Sequence, residues 1–106
     1  MLKRAIDLRT SVEDKSQRTL NALISGTEVP IHCHPKSSET VVLLYDYIDE
    51  IYFDTEGQDS SRSTIHVGDS IQIPLGQFHT IKVHEPSIIL EVKYGAYEPA
   101  KPEDII

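Results

Sequence analysis

Short apolar runs rich in β-branched residues recur along the whole chain, separated by turn residues. Thr40–Tyr45, Ser70–Ile73, Thr80–Val83 and Ser87–Tyr94 are the clearest. Runs of that length, bounded by Gly, Pro, Asp and Ser, predict strands, and many short strands predict a sandwich or barrel. Helical periodicity is weak. Ser11–Leu23 is ambiguous, because Ser11 and Asp14 have capping-box spacing while Arg18–Ser25 alternates as a strand does. We expect a brief helical turn near Ser11–Ser16 and then a strand. The segment Asp54–Arg62 is polar, acidic and glycine-containing, and predicts a solvated hairpin loop between strands near Tyr52 and Thr64. The tail 98–106 carries Pro99, Pro102 and the charges of Glu98, Lys101, Glu103 and Asp104, and is expected to lie extended over the body or against a partner subunit. No repeat or linker interrupts the pattern. About eight strands of roughly 5–6 residues fit the length once, so residues 1–106 are expected to form one all-β domain.

Composition narrows the setting. With 39% apolar and 25% charged residues, the chain has the make-up of a folded globular domain. Ten Lys+Arg against 17 Asp+Glu give a net charge of −7, which argues against nucleic acid or an anionic membrane as partner. The lone Cys33 cannot form an internal disulfide, which fits a reducing compartment. No apolar run approaches the roughly 20 residues of a membrane helix, and the polar start Met1–Arg4 does not look like a leader. A cytoplasmic protein is the expectation. A domain this small buries a limited core, so a partner subunit or a metal would help to hold it.

The candidate chemistry falls in two blocks. In the first, Gly26–Glu39, the residues His32 and His34 are two apart, so on a strand both imidazoles share a face and Cys33 takes the other. A turn at Pro35–Ser38 brings in Glu39, whose parity is that of Val41, Leu43 and Tyr45. Two imidazoles and a carboxylate converging from paired strands make a metal-binding face. In the second block, Gly68–His79, a Pro74-x-Gly76 turn redirects the chain and His79 opens a strand continuing inward through Ile81 and Val83. Cys33 reads as a small buried hydrophobe. His66 and His84 read as surface residues, and Tyr94 and Tyr97 as residues of a pocket mouth or of packing. Arg18, Asn21, Glu91 and Lys93 either face inward, to bind substrate or hold the metal ligands, or lie on the solvated face. The pattern alone does not set their parity.

Together the blocks resemble the two motifs of the cupin superfamily. Gly26, His32-x-His34 and Glu39 match the first motif (26–46), with Asp46 where its last glycine stands. Gly68, Pro74-x-Gly76 and His79 match the second (68–83), with Val83 in place of its Asn. A narrower resemblance, to the WbuC-type cupin-fold metalloproteins, covers most of the chain through Gln17–Thr27, His32–Pro35 and Glu91–Pro99. Ser38 and Thr40 flank Glu39 where those proteins often carry an aromatic. The resemblance implies a jelly-roll β-barrel and one divalent ion per chain (Zn, Mn, Fe or Ni) held by His32, His34, Glu39 and His79. It also implies a homodimer and a setting in surface-polysaccharide metabolism. Open positions on such an ion suit a small anionic or chelating ligand, and Arg18 or Lys93 would grip its far end if inward-facing. The expected function is a metal-dependent enzyme acting on a sugar or hydroxy-acid derivative, with Glu91 as a weak acid/base candidate. The alternatives are a non-catalytic metal- and sugar-binding or regulatory module, and a structural dimer stapled by its metal.

Overall fold

The computed structural model describes residues 3–106. Eight strands are followed by one 3-10 turn: β1 Lys3–Asp7, β2 Ser16–Leu23, β3 Glu39–Tyr45, β4 Tyr47–Phe53, β5 Asp59–His66, β6 Ser70–Ile73, β7 Phe78–Lys82, β8 Ser87–Tyr94, then η1 Pro102–Asp104. They form two antiparallel sheets, one of five strands in the order β1-β2-β8-β3-β6 and one of three in the order β5-β4-β7. This is the all-β architecture that the short, turn-punctuated runs predict, in the jelly-roll form that the resemblance implies. The inward side chains of both sheets meet in an apolar cluster of Leu23, Val41, Leu43, Ile48, Ile65, Ile73, Val83 and Ile89. It fills one end of the barrel, and the polar site occupies the other.

Three local expectations are corrected and one is met. The brief turn expected near Ser11–Ser16 is present, closed by Asp14 N–H to the Ser11 carbonyl, and the expected strand follows as β2 from Ser16. The Asp14 carboxylate caps it by accepting from the Thr10 and Ser16 amides, which favours a turn over helix propagation. The hairpin loop is shorter than its polarity suggests, because β5 already begins at Asp59. An edge strand with one solvated face tolerates such residues. Tyr45 does not continue the inward series of Val41 and Leu43. A bulge between Leu43 and Tyr45 on β3 flips the parity, and Tyr45 is 58% exposed. Finally, His32 and His34 do not come from a strand paired with the one bearing Glu39. Residues 31–34 lie beside β7, where His32 and His79 exchange both backbone hydrogen bonds at 3.0 and 2.8 Å, whereas Glu39 starts a strand of the opposite sheet.

The tail lies back over the body, as one of its two expected placements. Cys33 N–H bonds to the Asp104 carbonyl and Ile106 N–H to the Ile31 carbonyl, both at 2.8 Å. The tail thereby supplies the outer partner of the short histidine-bearing segment.

Asp46, alone between β3 and β4, carries the chain from one sheet to the other with φ of 61°. Aspartate tolerates the left-handed region better than most residues, but glycine does so without steric cost. Asp46→Gly should therefore be neutral or stabilising by up to about 1 kcal/mol, and the β-branched Asp46→Val should cost about 1–2 kcal/mol. Urea unfolding of the three proteins checks the order, and an equally stable Val variant would refute the constraint.

Candidate metal centre

Three imidazoles meet at the mouth of the barrel. His32 and His34 come from the segment before the Pro35 turn, and His79 from β7 across the backbone ladder. Their ligand-capable nitrogens lie within 4.8 Å of one another. Glu39, at the start of β3, reaches over from the facing sheet. Its Oε1 sits 3.7 Å from both His34 Nε2 and His79 Nε2. That is too long for a hydrogen bond and close to the spacing of ligands that each stand about 2.1 Å from a shared ion. The Pro74–Gln77 turn is tied to the site by Gly76 N–H donating to the His34 carbonyl at 2.9 Å.

The ring tautomers are set from behind. His32 Nδ1 is 2.7 Å from the Pro30 carbonyl, which can only accept, so Nδ1 carries the hydrogen and Nε2 the lone pair. His79 Nδ1 is 2.7 Å from Oε1 of Glu50, a β4 residue only 1% exposed. A buried carboxylate in this position orients the ring and raises the donor strength of Nε2. Glu50 has no part in the sequence expectations. Its parity with Ile48 and Tyr52 on β4 was the available signal, since a carboxylate in an inward series needs a partner.

Among the described residues, four buried side-chain atoms find no hydrogen-bond partner: His34 Nε2, His79 Nε2, Glu39 Oε2 and Glu50 Oε2. Orphaned buried polar groups cost about 1–3 kcal/mol each, so a cluster of them requires a compensating group. Two imidazole lone pairs and a carboxylate aimed at one point suit a divalent cation, and the donor set of three nitrogens and one oxygen fits several transition metals.

Of the four residues left open by parity, three face inward. Asn21 on β2 donates from Nδ2 to Glu91 Oε1, Glu91 lies against Glu39, and Lys93 Nζ stands 3.8 Å from Glu39 Oε2. Arg18 is the exception. It lies three residues from Asn21 and so points to the opposite face, where it bonds the Leu8 carbonyl and Asp14. His66 and His84 flank Tyr47, away from the triad, and His84 Nε2 is 2.9 Å from Asp49. Cys33 is buried, as expected. Polar residues therefore share the barrel interior with the apolar series.

A cleft of about 630 Å³ opens onto His32 and His34, with Lys93, Gln17, Tyr94 and Tyr97 in its wall. Another, of about 780 Å³, lies between the 26–31 segment and β7 and reaches none of the three imidazoles of the triad.

Burial dominates the site's electrostatics. It pushes the Glu39 carboxyl up to about 9, and the neighbouring Glu91 carboxyl adds to this while Lys93 opposes it. It raises Glu50 too, against the pull of His79. Burial lowers His34 to about 3, with the Lys93 ammonium adding, and lowers His32 against the Pro30 hydrogen bond.

Two antiparallel sheets joined in this order, with the triad at the barrel mouth, define a cupin jelly roll, and solved structures agree. KdgF from Halomonas sp. superposes with a TM-score of 0.73 at 12% identity, covering 90% of this chain and 82% of that one. A cupin superfamily protein from Desulfitobacterium hafniense gives 0.73 at 15%, covering 88% and 77%. Oxalate decarboxylase from Bacillus subtilis, in a structure concerned with its Mn(II) centres, gives 0.72 at 19%, covering 92% of this chain and 26% of that one. The chain belongs to the family described as Domain of unknown function (DUF6016), whose model matches residues 2–65. That span includes His32, His34, Glu39 and Glu50 and ends before His79. No curated protein matches the chain.

Without metal, the folded protein holds a proton on Glu39 that the unfolded chain releases between the ordinary 4.5 and about 9. This stabilisation is full below the lower value and is lost as pH rises through the upper one. His34 acts oppositely, costing stability as pH falls from 6.5 towards about 3. Chelator-stripped protein should thus melt at progressively lower temperature from about pH 6 to about pH 9. Glu39→Gln should flatten that slope, and a melting temperature that rises over this range would contradict the assignment.

Proposed function

We propose that this chain holds one divalent ion through His32, His34, Glu39 and His79, and that the ion serves a small anionic or chelating ligand entering by the cleft. The observation that carries the reading is that the buried nitrogens His34 Nε2 and His79 Nε2 have no hydrogen-bond partner and each stand 3.7 Å from Glu39 Oε1. Glu50 and the Pro30 carbonyl keep the His79 and His32 lone pairs aimed there, and Asn21 steadies Glu91 beside Glu39. When bound, such an ion supplies Lewis acidity towards an oxygen ligand or activates a water.

Charge selects the ligand class. An ion of charge +2 with one ionised Glu39 keeps a local excess of about +1, and Lys93 adds a second positive group in the cleft wall. Glu50 and Glu91 do not line the cleft. A carboxylate or the vicinal oxygens of a sugar acid would meet the ion, with Lys93 holding the far end. We favour an enzyme acting on a sugar or hydroxy-acid derivative, because Glu91 is a carboxyl inside the barrel, near enough to exchange a proton with Glu39. The setting in surface-polysaccharide metabolism follows from the resemblance to the WbuC-type proteins. A non-catalytic binding module is the second reading, favoured by the engagement of Glu91 with Asn21 and its absence from the cleft wall.

Elemental analysis of protein purified without chelators should find close to one divalent ion per chain. Chelation should lower the melting temperature, and added Mn²⁺ or Zn²⁺ should restore it in the native chain but not in His79→Ala. Protein without metal whose stability ignores both ions would overturn the proposal. Glu50→Gln should retain the fold and weaken metal affinity about 10–100-fold in a chelator competition. In the Co²⁺-loaded protein, small hydroxy acids should perturb the visible spectrum. Lys93→Ala should weaken that response, and neutral polyols acting as strongly would contradict the charge argument.

A further inference from the structure

The three-stranded sheet ends at β7, and the 26–32 segment runs beside the edge that β4 leaves free. Backbone bonds tie the two together at both ends. His32 and His79 exchange theirs at 3.0 and 2.8 Å, and Gly26 N–H reaches the Val83 carbonyl at 2.8 Å. Between these ties, the six residue steps from Gly26 to His32 lie against only four from His79 to Val83, so the segment bows away from the strand. The Thr80 hydroxyl props its middle, donating to the Val29 carbonyl at 2.6 Å. Backbone groups of an antiparallel strand alternate in direction, and those of His79 point at the segment. Two residues further on, the N–H and C=O of Ile81 therefore point the same way. Among the described residues neither has a hydrogen-bond partner. They sit in the wall of the cleft of about 780 Å³. That wall also holds Glu28 and Lys82, both exposed and neither in an ion pair among the described residues. Val29, Pro30, Ile31 and Ile106 make its apolar part.

We propose that this cleft binds a free α-amino acid with an aliphatic side chain. In a β-ladder, the N–H and C=O of one residue are answered by a C=O and an N–H on either side of a single partner Cα. A free amino acid carries the same two groups on one Cα. Its carboxylate accepts from Ile81 N–H, and its ammonium donates to the Ile81 carbonyl. Lys82 and Glu28 offer the opposite charge to each of those groups, and hydrogen bonds between ionised partners are the stronger kind. The apolar part of the wall takes the side chain. A zwitterion has no net charge, so the surplus of acids on this chain does not repel it. Size excludes a peptide strand. The ties at His79 and Val83 stand four residues apart, about 13 Å, and a chain running through would have to break them. No side chain of the metal centre takes part, so the site stands or falls independently of the ion.

Titration of the isotope-labelled native chain with L-leucine, followed through its amide resonances, tests the proposal. Saturable shifts are expected at Ile81, Lys82 and Val29, with a Kd on the order of 1 mM, as suits a ligand of about nine non-hydrogen atoms. Isocaproate, which lacks the ammonium, and isoamylamine, which lacks the carboxylate, should each bind at least about 10-fold more weakly. Lys82→Ala and Glu28→Ala alter exposed side chains, and each should weaken leucine binding about 10-fold while leaving the remaining spectrum in place. Absence of a saturable shift at Ile81 up to about 20 mM leucine would overturn the proposal. So would leucine binding indifferent to both variants, or isocaproate binding as tightly as leucine. Equal affinity for N-acetyl-leucine-N-methylamide would also overturn it, by assigning the cleft to a peptide.

Discussion

The arrangement turns on the cost of leaving polar atoms buried and unpaired. At the mouth of the barrel, imidazoles from one sheet face a glutamate from the other across 3.7 Å, a distance at which neither satisfies the other. Everything around them narrows their freedom further. The Pro30 carbonyl and Glu50 fix two rings, Asn21 holds Glu91, and the tail clamps the backbone of the histidine segment. An arrangement that rigid and that unsatisfied is unfavourable alone, and the proposed cation at its centre would make it favourable. On this account the ion is part of the fold's stability as well as of its chemistry, since the small apolar cluster closes only one end of the barrel.

Much of this was legible in the residues. The β-branched runs between turn signals located β6 and β8, and the parity of His32 and His34 put their rings on one side. Glu39 joined them as a carboxylate just past the turn, and His79 came from the resemblance of the two blocks to the cupin motifs. The losses are equally specific. Parity counting fails at a bulge, so Tyr45 was placed inside when it lies outside. Spacing cannot tell a hairpin partner from a residue on the opposite sheet, so Glu39 was assigned a neighbouring strand. Glu50 belongs to neither block, and only the antiparallel pairing of β4 with β7 in one sheet brings it to His79. Arg18 and Asn21, three apart on one strand, could never share a face, a constraint available from the sequence alone.

One sheet serves two roles. Its alternation puts Asn21, Glu39, Glu91 and Lys93 towards the barrel interior and Leu20, Val42, Leu90 and Val92 towards the outer face. A strand with period two can do this without compromise, because substitutions on one face leave the other chemically untouched. On the proposed reading the inner face is constrained by charge balance around a cation, while the strands direct no carboxylate to the outer face. Both features belong to a chain with a surplus of carboxylates, and they mark where those carboxylates are absent as well as where they gather.

The most direct measurement is an anomalous-scattering map from crystals grown with Mn²⁺ or Zn²⁺, recorded at the metal edge. The account predicts one strong peak per chain, bonded at about 2.0–2.2 Å to nitrogens of His32, His34 and His79 and to a Glu39 oxygen. A map with no peak among these residues, or with its main peak bound elsewhere on the chain, would contradict it.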